Sequence, residues 1–538
     1  MVYNLLVMEG SGKKAKIVLK KARNTVLPLF VGGIFAGALS GAIVCLFNMG
    51  AAYLTSSSEE IYAAVRERPY YVPLFFAVLA LLALFTALVH SRVPEVRGSG
   101  VPQTEGVMRG FFSFRKIKVF FCTLILSYIS FFSGLPLGAE GPSVQLGAVT
   151  ADGAAHALKM RICLHRYLIS AGAGAGLAVA FNAPLTGIVF VMEEGHKKFS
   201  CAMLFVCALA VSAAVLVYRA LNFAVFGTFS AHAFFDLSGV SVDAGDVNVY
   251  LMMLPLAVFI GLAALLFNKL LLNLQKFTDK RAKRFPYLLR LVIAFFAVSA
   301  VGLIPAVNGA VYGGGTLIGS LLSDVDSAWY MLLAILIVKI ALIALCYNAG
   351  ATGGLFVPML ALGALIGALT GKMLLSAGLN GEYYPLLVCA GMTAFFAASV
   401  GTPVTAAVLI VEVSGWAFDM LPALIAIFGA YALVRLCGGR PIYDCMLERH
   451  LRINGLEKTG AVHRIEFEVE RGSFADGRQI GDILWQPGCA VSAIERDNAF
   501  ILPESGLRLK GGDRLLLQLH TDDMASACEY VRGIVKCL

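Results

Sequence analysis

Charge is scarce in this chain. Of 538 residues only 14% are Asp, Glu, Lys or Arg, against roughly a quarter in an average soluble protein, while 59% are hydrophobic. So few charges cannot cover the wet surface of a globule this long, which excludes a single soluble enzyme. The apolar excess excludes a disordered or fibrous chain. Metal-binding patterns are missing as well. The twelve cysteines are scattered singly with no Cys-x-x-Cys pair, so inert buried thiols are expected and disulfides are not required. The eight histidines form no metal-ligand spacing and no nucleophile–base group, which speaks against a membrane-embedded enzyme. No metal and no cofactor is expected. A potassium pore would need a carbonyl filter such as Thr-Val-Gly-Tyr-Gly, and the chain has none. Nor is there a short apolar leader with a small-residue cleavage site, so no signal peptide is expected.

What charge there is sits unevenly. Apolar runs long enough to cross about 30 Å of hydrocarbon occupy 26–49, 72–90, 119–132, 203–226, 249–272, 288–307, 329–347, 360–377, 384–399 and 421–436, and the last stretch of chain has ordinary soluble composition. The formal charge of +9 gathers in short segments: Lys13 to Arg23, Arg115 to Lys118, Lys159 to Arg166, His196 to Lys198, and Lys276 to Arg284. Basic residues beside apolar spans mark the cytoplasmic side. They are topology signals rather than a nucleic-acid surface. The expected protein is a multi-pass cell-membrane protein in the lipid bilayer, with both termini cytoplasmic.

Three glycine-rich breaks share one design. Gly98-Ser99-Gly100-Val101-Pro102, Gly138-Ala139-Glu140-Gly141-Pro142 and Gly353-Gly354-Leu355-Phe356-Val357-Pro358 each place glycines before a proline that opens a helix. Proline suits a first turn, where its missing N–H would be unpaired anyway. Glycine lets the main chain turn sharply and approach a ligand. The helix end then offers free N–H groups and about half a positive charge. Several such ends converging in low dielectric would bind a small anion without a formal cation. Glu140, a carboxylate at such an end, would imitate that anion when ionised and release the site when protonated.

An internal repeat supports this. Residues 171–193 align without gaps on 390–412, with Ala171/Ala390, Gly172/Gly391, Ala175/Ala394, Pro184/Pro403, Thr186/Thr405 and Glu193/Glu412 matching. Two repeats, each with a broken helix, are the pattern of a transporter with its site at the repeat interface.

At these motifs, together with Pro441-Ile442-Tyr443 and the segment Phe181 to Gly187, the sequence resembles the CLC family of chloride channels and chloride/proton antiporters over roughly residues 30–450. The resemblance implies an all-α polytopic membrane protein of the CLC fold, a homodimer with inverted repeats (about 70–225 and 285–440), broken and tilted helices, and one pore per subunit. It implies that Ser99 and Tyr443 donate hydroxyls to chloride, that main-chain N–H groups around Leu355, Phe356 and Gly141 complete the shell, and that Glu140 gates. Glu194 would match the family's inner proton glutamate, with Glu193 beside it. Both glutamates favour chloride/proton exchange over a passive chloride channel of the same fold. One departure is Ala139, where the family usually has Lys or Arg. Ser99 resembles the chloride-preferring pattern.

The expected organisation is a basic segment 1–25, a membrane domain 26–450, a linker 451–460 and a small α+β cytoplasmic domain 461–538. In the last, strands are expected near 463–469, 490–495, 499–502 and 514–519, with helices near 479–484 and 522–533. "Gly-Gly-Asp-Arg-Leu-Leu-Leu" at 511–517 resembles the TrkA C-terminal (RCK-C) regulatory domain. That implies dimerisation and a small regulatory ligand, possible nucleotides such as cyclic di-AMP among them, with Ile494, Arg496, Asn498, Ile501 and Pro503 as pocket candidates. A passive dimerisation domain is the alternative.

Overall fold

The computed structural model describes residues 22–227, 246–281, 286–323, 327–378, 381–414, 420–455, 462–497, 499–520 and 524–537. Asn498, nearly all of the basic segment 1–25 and the end of the 451–460 linker lie outside the described residues.

Inside hydrocarbon every main-chain polar group needs an internal partner, so apolar runs resolve into helices. The first half contains α1 (Leu27–Glu67), α2 (Val72–Arg92), α3 (Val101–Arg109), α4 (Lys116–Phe132), α5 (Glu140–Ala157), α6 (Ile162–Phe181), α7 (Pro184–Phe190) and α8 (Cys201–Phe226). The second contains α9 (Val247–Lys280), α10 (Tyr287–Gly302), α11 (Gly315–Ser323), α12 (Trp329–Ala349), α13 (Phe356–Ser376), α14 (Tyr384–Val400), α15 (Pro403–Val413), α16 (Leu421–Leu436) and α17 (Ile442–Ile453). Eight helices are long and apolar enough to cross a membrane among the described residues. Lengths run from 41 residues in α1 to 7 in α7, so the helices are unequal and broken. None of the twelve cysteines forms a disulfide.

The repeat read from the sequence is visible as matching construction. In the first half α5 packs on α6 through glycines: a Cβ at Gly172 would fall on the Gly147 carbonyl. In the second half α13 packs on α14 the same way, and a Cβ at Gly391 would stand 2.6 Å from the Gly363 carbonyl. Small residues let the helix backbones touch where lipid supplies no hydrophobic drive. Both pairs then end on a left-handed residue at equivalent positions, Asn182 (φ +51°) and Gly401 (φ +89°), before Pro184 and Pro403 start the short α7 and α15.

The tail is a four-stranded antiparallel sheet in the order β1-β4-β2-β3, made of β1 (Val462–Glu468), β2 (Cys489–Arg496), β3 (Ala499–Ile501) and β4 (Arg514–His520), closed by α18 (Met524–Val535). The helix expected near 479–484 is only a 3-10 turn, Ile480–Asp482. Alternation sets the faces: Leu515, Leu517 and Leu519 of β4 are buried.

The tail docks on the membrane part through the start of α6. Arg161 Nη2 donates to the carbonyls of Gly533 (2.5 Å) and Lys536 (2.8 Å). Arg166 Nη1 donates to the carbonyls of Leu484 (3.0 Å) and Trp485 (3.2 Å) and to the Tyr530 hydroxyl (3.1 Å). The Tyr167 hydroxyl donates to the Asp482 carbonyl at 3.0 Å. Burial pushes the Tyr530 phenol above its ordinary pKa, so it stays a neutral donor, to the Leu484 carbonyl at 2.7 Å.

Candidate functional site

The three glycine–proline turns meet. Gly138 N donates to Gly354 O at 2.8 Å and Gly354 N to Gly138 O at 2.6 Å, a two-bond bridge joining the second and third turns. Gly353 N donates to Gly98 O at 3.1 Å, tying in the first. Only glycine fits the crossing point: a Cβ at Gly141 would land on the Ser99 carbonyl and stand 2.9 Å from Gly354 Cα. Helices α3, α5 and α13 start from these turns with no side-chain cap. Their free N–H ends therefore face a common centre.

Glu140 folds over that centre. Its carboxyl lies against main-chain N–H groups of Ala139, Glu140 and Val357, with Oε2 above Gly138 and Gly354. Oε2 is buried and completes no hydrogen bond among the described residues. Leu355 and Phe356 are fully buried. The Phe356 ring is wedged between Phe181 (4.8 Å), Phe190 (6.3 Å) and Phe396 (4.0 Å, centroid distances), which fixes the third turn between the two repeats.

Below the turns stand three hydroxyls. Tyr443, at the start of α17, and Tyr347 of α12 face the Ser99 hydroxyl. All three are buried, and none completes a hydrogen bond among the described residues. Buried hydroxyls without partners are costly, so their convergence marks a place for an acceptor. A cavity of about 470 Å³ opens beside Ser99 and Tyr347 and is lined further by Arg97, Arg290, Arg449 and His450.

Toward the tail lies a cluster of charge. Chain turns widen to a π-helix over Val191–Gly195, a distortion frequent at functional sites, and it splits the two neighbouring glutamates. Glu194 points inward, fully buried, and pairs with Lys197. Its carboxylate lies within 4.8 Å of those of Glu105 and Asp444. Two cations bind the cluster together: Arg109 pairs with Glu105 and with Asp444 (3.4 Å), and Lys197 reaches Asp444 at 3.6 Å.

Glu193, grouped with the proton residues from the sequence, points the other way. Its carboxylate accepts from Val404 N (3.0 Å), Thr405 N (2.6 Å) and Thr405 Oγ1 (2.6 Å), capping α15. Glu412 does the same for α7, accepting from Leu185 N (2.8 Å), Thr186 N (2.7 Å) and Thr186 Oγ1 (2.7 Å). The two repeats thus cap each other reciprocally, and this carboxylate has a structural task.

Of the five tail candidates Asn498 lies outside the described residues, and the other four sit in different surroundings. Ile494 is fully buried in the sheet interior. Arg496 is held by Asp513 at 2.7 and 2.8 Å, a pairing that raises its pKa. Ile501 and Pro503 are partly exposed at the β3 edge.

Other residues came to light only in space. Glu105 and Asp444 join Glu194 from helices far apart in sequence. Lys339, buried in α12, donates to the carbonyls of Ala310 (3.3 Å) and Tyr312 (3.1 Å), in the loop whose Gly313 lies against Leu137 and Gly138. A single lysine in an apolar span was the available signal.

The sequence model described as "Voltage gated chloride channel" matches residues 80–435, and the TrkA-C domain matches 464–532. The H(+)/Cl(-) exchange transporter ClcA of Yersinia pseudotuberculosis serotype IB (strain PB1/+) is 30% identical over 453 residues, 82% of this chain and 92% of the relative. Its namesake in Vibrio cholerae serotype O1 (strain M66-2) is 32% identical over 465 residues. Among solved structures, a slow cyanobacterial Cl-/H+ antiporter aligns with TM-score 0.69 at 26% identity, covering 79% of this chain and 99% of that one. A CLC-type fluoride/proton antiporter shares the fold at 20% identity and TM-score 0.64. With the converging turns, the helical architecture and these matches together, the chain belongs to the CLC family of voltage gated chloride channels and exchange transporters and carries a C-terminal TrkA-C domain.

Proposed function

We propose that the protein exchanges chloride for protons, with Glu140 as the gate. The observation that carries this reading is the position of the Glu140 carboxylate over the joined turns, where main-chain N–H groups would otherwise cradle an anion. A carboxylate and a chloride compete for the same donors. Ionised, Glu140 closes the turn site; protonated, it loses its attraction to the helix ends and yields to chloride. Chloride at the next position takes the hydroxyls of Ser99 and Tyr443, with Tyr347 as a third donor, and the arginine-lined cavity leads to it from the side of the tail.

Protons take a separate route. Glu194, with Glu105 and Asp444 around it, is buried yet adjoins partly exposed Lys197 and Arg109, so it can trade protons with water on the tail side and hand them toward Glu140. Both termini would then be cytoplasmic, and the functional unit a homodimer. Where relatives carry a cation next to the gate, this chain has Ala139, and the buried Lys339 amine holds the Ala310 and Tyr312 carbonyls of the loop packed on the Gly138 turn.

Regulation enters through the tail. Arg166 donates both to Leu484, Trp485 and Tyr530 and, through Nε, to the Met108 carbonyl at 2.9 Å. Met108 neighbours Arg109, which holds the acidic cluster. A nucleotide such as cyclic di-AMP bound to a tail dimer would shift that linkage.

Reconstituted vesicles test the central reading. An imposed chloride gradient should drive protons uphill, and a proton gradient should drive chloride. Free chloride flow with no proton movement would make the protein a passive channel instead.

A further inference from the structure

One cluster is used by none of this. At the tail end of the membrane part, α5 and α6 are joined by a tight turn through Lys159, which has a left-handed backbone (φ +50°). The turn brings Asp152 and His156 of α5 against His165 of α6. Asp152 Oδ1 lies 3.4 Å from His156 Nδ1 and 3.4 Å from His165 Nδ1, and the three ligand atoms all lie within 4.8 Å of one another. For a tetrahedral ion with bonds near 2.0–2.1 Å, neighbouring ligand atoms stand about 3.3 Å apart.

The arrangement is also oriented for a cation. His165 Nε2 lies 3.1 Å from the Met160 carbonyl; with the proton held there, Nδ1 would turn a lone pair to an ion placed between it and Asp152, the usual way a ligating histidine is held. Lone pairs therefore converge from Asp152 and His165, and His156, whose Nδ1 also lies 3.0 Å from the Asp152 main-chain carbonyl, joins them through the ring nitrogen that carries no proton. The charge that meets them is Lys116, whose Nζ lies 2.6 and 2.9 Å from the His156 ring nitrogens and 3.4 Å from Asp152 Oδ2. Lys116 stands at the first position of α4 with its side chain 29% exposed, so it is free to swing into water. Asp152 and His165 are 7% and 12% exposed, while His156 at 58% leaves an entry path. Two histidines and one carboxylate with an open fourth position suit zinc and its neighbours rather than calcium or magnesium.

We propose that Asp152, His156 and His165 form a binding site for one divalent transition-metal ion of the zinc type, with Lys116 as the cation it displaces. The bound ion would clamp α5 to α6 directly beside Arg161 and Cys163, which hold the tail at Gly533, so it stabilises the platform on which the tail sits.

The test is a titration of the full-length, metal-stripped protein in detergent with Co²⁺ and Zn²⁺. One Co²⁺ per chain should bind, with visible d–d bands and no near-ultraviolet thiolate band, which separates this site from the twelve cysteines. His165→Gln should weaken binding by about tenfold to a hundredfold, while Lys116→Ala should tighten it by removing the competitor. Lys116→Ala keeps all three ligands, so its effect does not depend on His165→Gln folding normally. The proposal is overturned by a thiolate band, by no Co²⁺ binding at millimolar metal, or by affinity unchanged in both variants. The last would leave Lys116 and a protonated histidine as the cluster's permanent cations.

Discussion

Two polar regions are buried in the membrane part, and they are built from opposite materials. At the turn site the donors are main-chain N–H groups and three hydroxyls, held in place by glycines at 98, 138, 141 and 354. At the acidic cluster the polar atoms belong to charged side chains, Glu105, Glu194 and Asp444 against Arg109 and Lys197. Main-chain dipoles cannot be titrated or rotated away, so they offer a small anion the same field at every stage of a cycle. Side-chain carboxylates can gain and lose protons, but they need counter-ions to stay buried. The division of labour proposed above, anion on backbone and proton on side chains, would follow from that difference.

The comparison yields tests, from the strongest effect to the weakest. Gly141→Ala should remove chloride and proton transport together, because the added methyl lands on the Ser99 carbonyl and prises the turns apart; a strain of about 3 kcal/mol is expected, read as loss of both fluxes and a lower Tm. Normal transport in this variant would show that the turns need not touch. Glu194→Gln should cut proton flux by about a hundredfold or more and leave chloride moving, measured by simultaneous electrode recording from vesicles. Undiminished proton flux would take Glu194 off the route. Arg166→Ala removes three donations to the tail and should weaken docking by about 2–4 kcal/mol, seen as faster hydrogen exchange across 530–535. Glu193→Gln should have the smallest effect, about 1 kcal/mol of stability from a poorer α15 cap, with the chloride-to-proton ratio unchanged. A changed ratio would return Glu193 to the proton route.

Much of the turn site was legible in the sequence, because its instructions are local. Glycine before proline specifies a sharp turn and an open helix end within five residues, and three copies can be counted without coordinates. The acidic cluster was only partly legible. Glu194 was visible at the end of an apolar run, but Glu105 and Asp444 lie on α3 and α17, and nothing in one-dimensional spacing says they share a space with it. Glu193 stood beside Glu194 in the sequence, and only the π-turn shows that their side chains point apart. Helix α6 escaped the apolar-run reading because glycine and alanine carry little hydropathy, although close packing buries nearly all of it. The run expected at 26–49 continues to Glu67, since the polar stretch Ser56 to Glu60 still propagates a helix once its first turns are fixed. His156 and His165, nine residues apart across a turn, fit no familiar ligand spacing.

The claim on which the rest depends is that the Glu140 carboxylate occupies an anion's place on a cradle of main-chain amides. Equilibrium chloride binding to the purified protein tests it most directly, comparing the unaltered chain with Glu140→Gln. Removing the negative charge should free the cradle, so the variant should bind more chloride per chain, and more tightly, than the unaltered protein. Equal stoichiometry and equal affinity in the two would mean that the carboxylate and the anion never compete, and would contradict the mechanism.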